Sequence, residues 1–123
     1  MNNMKQLKIK NEVFGFEVIR LLWDKEEVRH YLISNWLTTS QLDIAWGYTV
    51  LEQNKAYLYL DDKSDYILLH ECIHIIQGLF HRIGIETGYW NTEVLAYNTD
   101  WLYRKLLLSY YKYKKNDKYK NYL

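Results

Sequence analysis

The chain has 123 residues, five glycines and no proline, which is the size and composition of one compact domain spanning residues 1–123. Apolar and aromatic residues make up 49% of it and charged residues 25%, a balance that excludes a largely disordered protein. The net charge is +1. The single cysteine, Cys72, excludes an intramolecular disulfide framework and fits a reducing, cytoplasmic compartment. No signal peptide and no run of about 18 apolar residues is recognisable, so we expect neither secretion nor a membrane span.

The first predicted elements are one or two short strands within residues 7–21, where apolar residues alternate along the chain. A helix follows over residues 25–37, because its apolar positions have the i, i+3, i+4 spacing of one buried face. Asp24 directly precedes this helix and is a favourable N-cap residue.

Two further strands are predicted at residues 44–51 and 56–60, where aromatic and aliphatic residues alternate again. Only a short segment separates these strands, so we expect an antiparallel hairpin. Gly47 lies inside the first of them and indicates a bulge or a close contact.

Two helices complete the predicted fold. The first runs from about residue 65 to Gly84, and its apolar residues lie on nearly every side, which predicts a buried helix. The second is long and is capped by Asn91 or Thr92. Its packing residues include Leu95, Leu102, Leu106 and Leu107. The order of elements predicts an α+β fold with a small, mostly antiparallel sheet packed on the two helices, which run antiparallel to each other.

The first of these helices contains a sequence with metal-site spacing. Residues 70–74 read HECIH, which matches the HExxH pattern. Because His70 and His74 are one helical turn apart, both imidazoles can bind one Zn²⁺ ion. Glu71 is next to the first histidine and can act as the general base on a water molecule.

The surroundings of the motif favour a metal site over coincidence. Apolar residues at 67–69 and 73–76 flank the motif, so we expect its three ionisable side chains to be buried. Burying ionisable groups is costly unless they are paired or bind a metal.

A catalytic zinc site usually has a third protein ligand. His81 lies two helical turns beyond His74, which places it about 10 Å too far along the helix, so we expect it to be solvated or at the helix end. Glu93 is the better candidate, because it opens the helix that folds back against the motif. Glu86 is the alternative and lies in the predicted turn.

The residues around the motif resemble a known group of proteins. Residues 70–77 read HECIHIIQ and residues 93–97 read EVLAY, and the chain is thereby similar to small zincin-like proteins of bacteriophages, with HExxHxxQ followed by ExxAY. The resemblance also extends to the gluzincin branch, in which a glutamate of the next helix completes the site. It implies a minimal zincin-like, metallopeptidase-like fold, with His70, His74 and Glu93 as zinc ligands and Glu71 as the base.

Two residues of the last helix are candidates for supporting roles. Tyr97, one turn after Glu93, can donate to an oxyanion, and Asp100 can accept a hydrogen bond from a ligating histidine. Ordinary helix packing explains either residue equally simply. Cys72 points away from the two histidines and is expected to be a buried thiol.

Three functions are compatible with these residues. The first is a zinc-dependent hydrolase acting on a peptide or protein, in the host cytoplasm if a phage encodes it. The second is a catalytically silent protein that keeps the zincin scaffold and binds a host or assembly partner. The third is nucleic-acid binding by the lysine- and tyrosine-rich tail, residues 110–123, although a solvated helix end explains that composition more simply. The oligomeric state is left open.

Overall fold

The computed structural model describes residues 6–22, 24–39, 42, 47–60, 65–85, 88 and 92–116, without the side chains of residues 65–66 and 113–116. Its elements in chain order are β1 (Gln6–Asn11), β2 (Phe16–Leu21), α1 (Lys25–Ser34), β3 (Gly47–Glu52), β4 (Lys55–Leu60), α2 (Asp65–Arg82) and α3 (Thr92–Asn116). The α+β class and the order of elements predicted from the sequence are confirmed. Residues 44–46, predicted as the start of β3, lie outside the described residues.

The four strands form one mixed sheet in the order β1-β2-β4-β3. The outer pairs, β1 with β2 and β3 with β4, are antiparallel hairpins. The hairpin of β3 with β4 was predicted, whereas only the strands of the other pair were. The central pair is parallel and places Glu17–Arg20 beside Lys55–Leu58. This parallel pair was not predicted, because the two strands are joined only through α1 and β3.

Both faces of the sheet are covered by helices. Strand residues point alternately to opposite faces, so Val18 and Leu58 pack with α2 and α3, whereas Ile19 and Tyr57 pack with α1. Along β3 the same alternation directs Tyr48 and Val50 toward α1. Thr49, which lies between them, therefore faces α2.

Helix α1 begins where the sequence predicted and ends earlier. Asp24 caps it, with Oδ1 accepting from the Glu27 backbone N–H at 2.9 Å, and Glu27 bonds back to the Asp24 N–H. The helix was predicted to reach residue 37 but ends at Ser34. Trp36 has a φ of 61°, and the Leu37 N–H donates to the Leu32 carbonyl at 2.8 Å, which is the hydrogen bond of a Schellman C-terminus.

Helices α2 and α3 pack on the same face of the sheet. Leu102 and Leu106 of α3 are fully buried against α2 and the strands, which confirms their predicted role. Helix α2 was predicted to be buried on nearly every side, and this prediction is wrong. Leu69 and Ile73 are 41% and 40% exposed. One face of α2 is therefore open to solvent. Within the described residues, no helix is long and apolar enough to cross a membrane.

Candidate metal and catalytic site

The two histidines of the motif lie side by side on the open face of α2. Both side chains are exposed, and their Nε2 atoms are 3.1 Å apart. Their rings meet edge to face, with centroids 4.6 Å apart. The expectation that all three ionisable groups of the motif are buried is therefore wrong for His70 and His74. It is correct for Glu71, which is 8% exposed.

The separation of the two nitrogens fits a shared zinc ion. Zinc binds imidazole nitrogen at about 2.0–2.1 Å, and tetrahedral ligands at that distance are roughly 3.3 Å from each other. The same separation also fits a hydrogen bond in which one neutral imidazole donates to the other. In either arrangement His70 and His74 present their Nε2 atoms to the same point outside the helix.

Glu71 points to the side of α2 that packs against β3. The Thr49 hydroxyl donates to Glu71 Oε1 at 2.7 Å. A Cβ atom built on Gly47 would be 2.9 Å from both Cγ and Oε2 of Glu71, closer than such contacts occur in proteins. The close contact predicted at Gly47 is therefore present, and the atom that approaches it belongs to the motif glutamate.

Thr49 was missed by the sequence analysis. It lies 22 residues before Glu71, and no spacing rule connects a strand residue to a helix residue at that distance. The available signal was the alternation of the strand, which separates Thr49 from the apolar side chains on either side of it and turns its hydroxyl toward α2.

Cys72 is buried between α2 and the sheet, as predicted, and is fully inaccessible. Burial raises the pKa of its thiol to about 12, although the positive charge of Arg20 acts in the opposite direction. The thiol is therefore neutral at physiological pH and is unsuited to act as a nucleophile or thiolate ligand. The Arg20 guanidinium is buried and lies 4.4 Å from the centroid of the Tyr110 ring, so β2 also contacts the C-terminal half of α3.

The predicted third ligand lies on α3. Glu93 is exposed in the first turn of α3, at the opposite end of that helix from Tyr110. Among the described residues, no third histidine, cysteine, aspartate or glutamate joins His70 and His74 in a group able to hold a metal ion. Glu86, the alternative ligand, is outside the described residues. Glu93 therefore stays a predicted ligand.

The remaining candidates are also placed by the structure. Tyr97 is 70% exposed and lines a groove of about 590 Å³ between α3 and the turn that joins β1 to β2. Asp100 was predicted to support a ligating histidine but instead pairs with Arg104, one turn later on the exposed side of α3. That pairing lowers the pKa of Asp100. His81 is exposed at the end of α2, as predicted.

Comparisons of the chain with protein-family models, with curated proteins and with solved structures found no match.

Proposed function

We propose that the chain is a zinc-binding protein that hydrolyses peptide bonds, with His70 and His74 as zinc ligands and Glu71 as the general base. The observation that carries the proposal is the paired Nε2 atoms 3.1 Å apart, one residue away from a carboxylate held in place by a strand. The HExxH spacing, together with the resemblance to zincin-like phage proteins, supports zinc over another metal.

Bound zinc would supply a Lewis acid for the peptide carbonyl and for water. The protein supplies the remaining functions. Glu71 accepts a proton from water at its carboxylate and returns it to the departing amine. Its Oε1 accepts the Thr49 hydroxyl, so the exchange would use Oε2, which lies beside Gly47 of the same strand. Burial of Glu71 at 8% exposure limits the number of water molecules that compete for that oxygen.

The position of β3 supports a peptide as substrate. Within the described sheet β3 is an edge strand, and α2 packs beside it. An edge strand can pair with an extended peptide through backbone hydrogen bonds. A peptide paired there would pass next to Glu71, because Thr49 of the same strand touches its carboxylate.

Glu93 is included in the proposal as the third ligand because of its resemblance to the ExxAY glutamate. Its assignment is tested apart from that of the histidines. Loss of zinc in His74→Ala combined with full retention in Glu93→Gln would keep the zinc site and remove Glu93 from it.

The test combines metal analysis with a hydrolysis assay. Purified protein loaded with zinc is dialysed, its metal content is measured, and it is incubated with a peptide library whose products are identified by mass spectrometry. We expect one zinc per chain in the wild type and in Glu71→Gln, and none in His74→Ala. We expect cleavage by the wild type alone. Equal cleavage by Glu71→Gln would reject the proposed mechanism.

A second function, binding of a host or assembly protein without catalysis, is favoured by one observation. Trp36 is 95% exposed and occupies a left-handed backbone position, which is unfavourable for a residue with a side chain. Exposed tryptophan is enriched among the residues that dominate protein interfaces. If Trp36→Ala abolishes the biological effect of the protein and Glu71→Gln does not, binding is the function. Nucleic-acid binding concerns the tail of residues 110–123, and from residue 113 on its side chains lie outside the described part of the chain.

A further inference from the structure

Strand β3 contacts the motif glutamate, Glu71, at two points. On one side of the carboxylate the Thr49 hydroxyl donates to Oε1 at 2.7 Å. On another side the backbone of Gly47 leaves room that a methyl group would fill, since its Cβ would lie 2.9 Å from Oε2 and from Cγ.

The two contacts have different physical effects. A hydroxyl donated to an ionised carboxylate is a strong, directional hydrogen bond that fixes the rotation of the carboxylate plane. Because Gly47 has no side chain, the Cγ and carboxylate of Glu71 can lie directly against the strand. Thr49 and Gly47 are two residues apart, so their Cα atoms are on the same side of the pleated strand. Glu71 is thus held by the strand as well as by its own helix.

We infer that Thr49 is a positioning residue for Glu71 and that Gly47 is required as glycine for the same reason. This inference rests on the proposed function for its effect on rate. A general base must lie within hydrogen-bond reach of the proton that it removes, and a displacement of about 1 Å costs roughly 100-fold in rate. The strand that is placed to hold the substrate would then also fix the base, so that both share one rigid support.

The first part of the test needs neither zinc nor activity. Urea unfolding is measured for the metal-free wild type, Thr49→Val, Glu71→Leu, which removes the acceptor oxygens, and the double variant. Thr49→Val removes the hydroxyl and keeps the shape of the side chain. We expect the two single changes to be non-additive, with the double variant more stable than the sum of the separate losses. Additive losses would mean that the hydroxyl and the carboxylate do not interact, and the inference would be overturned.

The second part measures the role in catalysis. For the zinc-loaded protein we expect Thr49→Val to lower kcat roughly 10- to 100-fold with little change in KM, and Thr49→Ser to keep most of the rate. Gly47→Ala should lower kcat as Thr49→Val does, because its methyl group displaces the carboxylate. Zinc content should be unchanged in all three variants.

Gly78→Ala is the matched control. Gly78 lies in α2 at the same contact with β3, but a Cβ there meets the end of the Leu51 side chain and not Glu71. This change should alter stability and leave kcat intact. A kcat that is unaffected by Thr49→Val, or that falls equally in Thr49→Ser or Gly78→Ala, would refute the positioning role. If the wild type cleaves no peptide, the effect on rate is refuted together with the proposed function, and the urea measurement alone decides whether Thr49 holds Glu71.

Discussion

The Nε2 atoms of His70 and His74 lie 3.1 Å apart on the solvent-exposed face of α2. A zinc ion bound by both would bind the folded chain far better than the unfolded chain, since one helical turn brings the two rings together. Zinc should therefore raise the free energy of unfolding, by about 2.7 kcal/mol at a free concentration of 100 times Kd. Thermal unfolding with increasing zinc measures this shift, and a chelator should reverse it.

The control for this prediction lies on the same helix. His81→Ala removes an exposed histidine outside the motif and should leave the zinc-dependent shift in place, whereas His70→Ala and His74→Ala should abolish it. An equal shift in all four proteins would mean that zinc binds elsewhere on the chain, and the histidine pair would no longer be the metal site.

The histidine pair could be predicted because its geometry is local. An i, i+4 spacing on a helix brings two side chains together wherever the helix lies in the fold. The contact between Thr49 and Glu71 depends on which strand packs against α2 and on which of its residues face that helix. Both are set by the tertiary structure, so the motif could be found in the sequence while the residue that holds its glutamate could not.

The strand pairings of the sheet likewise include one that could be predicted from the sequence and one that could not. The hairpin of β3 with β4 followed from two neighbouring alternating segments joined by a short turn. The parallel pairing of β2 with β4 joins Ile19 to Tyr57 across a helix and another strand, and no local pattern encodes it. The exposure of Leu69 and Ile73 was mispredicted for a related reason. Apolar composition alone does not show that a helix packed between a strand and another helix keeps one free face.

Replacement of Trp36 by glycine should stabilise the protein. Trp36 has a φ of 61° at the position after the α1 C-cap, where glycine avoids a steric cost of roughly 1–2 kcal/mol. The side chain is 95% exposed, so its removal loses little packing. We expect Trp36→Gly to raise the free energy of unfolding by roughly 1 kcal/mol, which is the steric gain after subtraction of the backbone entropy that glycine gains in the unfolded chain. Urea denaturation measures the change.

Asn35 supplies the comparison for that substitution. Its φ is −104°, so glycine relieves no strain there, and its side chain donates to the Tyr31 carbonyl at 2.8 Å. Asn35→Gly should be destabilising. If both glycine variants change stability in the same direction, the left-handed backbone at Trp36 is not the cause.

The protein should lose stability at alkaline pH because of Cys72 and Tyr57. Burial raises the pKa of both groups, that of Cys72 to about 12. Below pH 9 both are protonated in the folded and unfolded chains, so their contribution is complete. Between pH 9 and 12 the unfolded chain releases the Cys72 proton while the folded chain retains it, and the free energy of unfolding falls by up to about 1.4 kcal/mol per pH unit. The raised pKa of Tyr57 acts in the same direction.

Urea unfolding of the metal-free protein at pH 8 and pH 10.5 tests this pH dependence. Tyr57→Phe removes one of the two titrating groups and should reduce the loss of stability between the two pH values, and Cys72→Ala should reduce it further. Lysines titrate in the same range in every variant, so the comparison rests on the difference from wild type. An undiminished loss in both variants would assign the alkaline instability to other groups.

The capping box of α1 provides a test of the fold that is independent of the metal site. Asp24 Oδ1 accepts the Glu27 N–H at 2.9 Å, and a first-turn N–H without this partner depends on water alone. Asp24→Ala should therefore lower the free energy of unfolding by about 1 kcal/mol, and Asp24→Ser should recover most of the loss, because serine caps helices nearly as well. Zinc content should be the same in all three proteins, since α1 covers the face of the sheet opposite to α2. A loss of zinc in Asp24→Ala that Asp24→Ser does not restore would contradict this separation of α1 from the site.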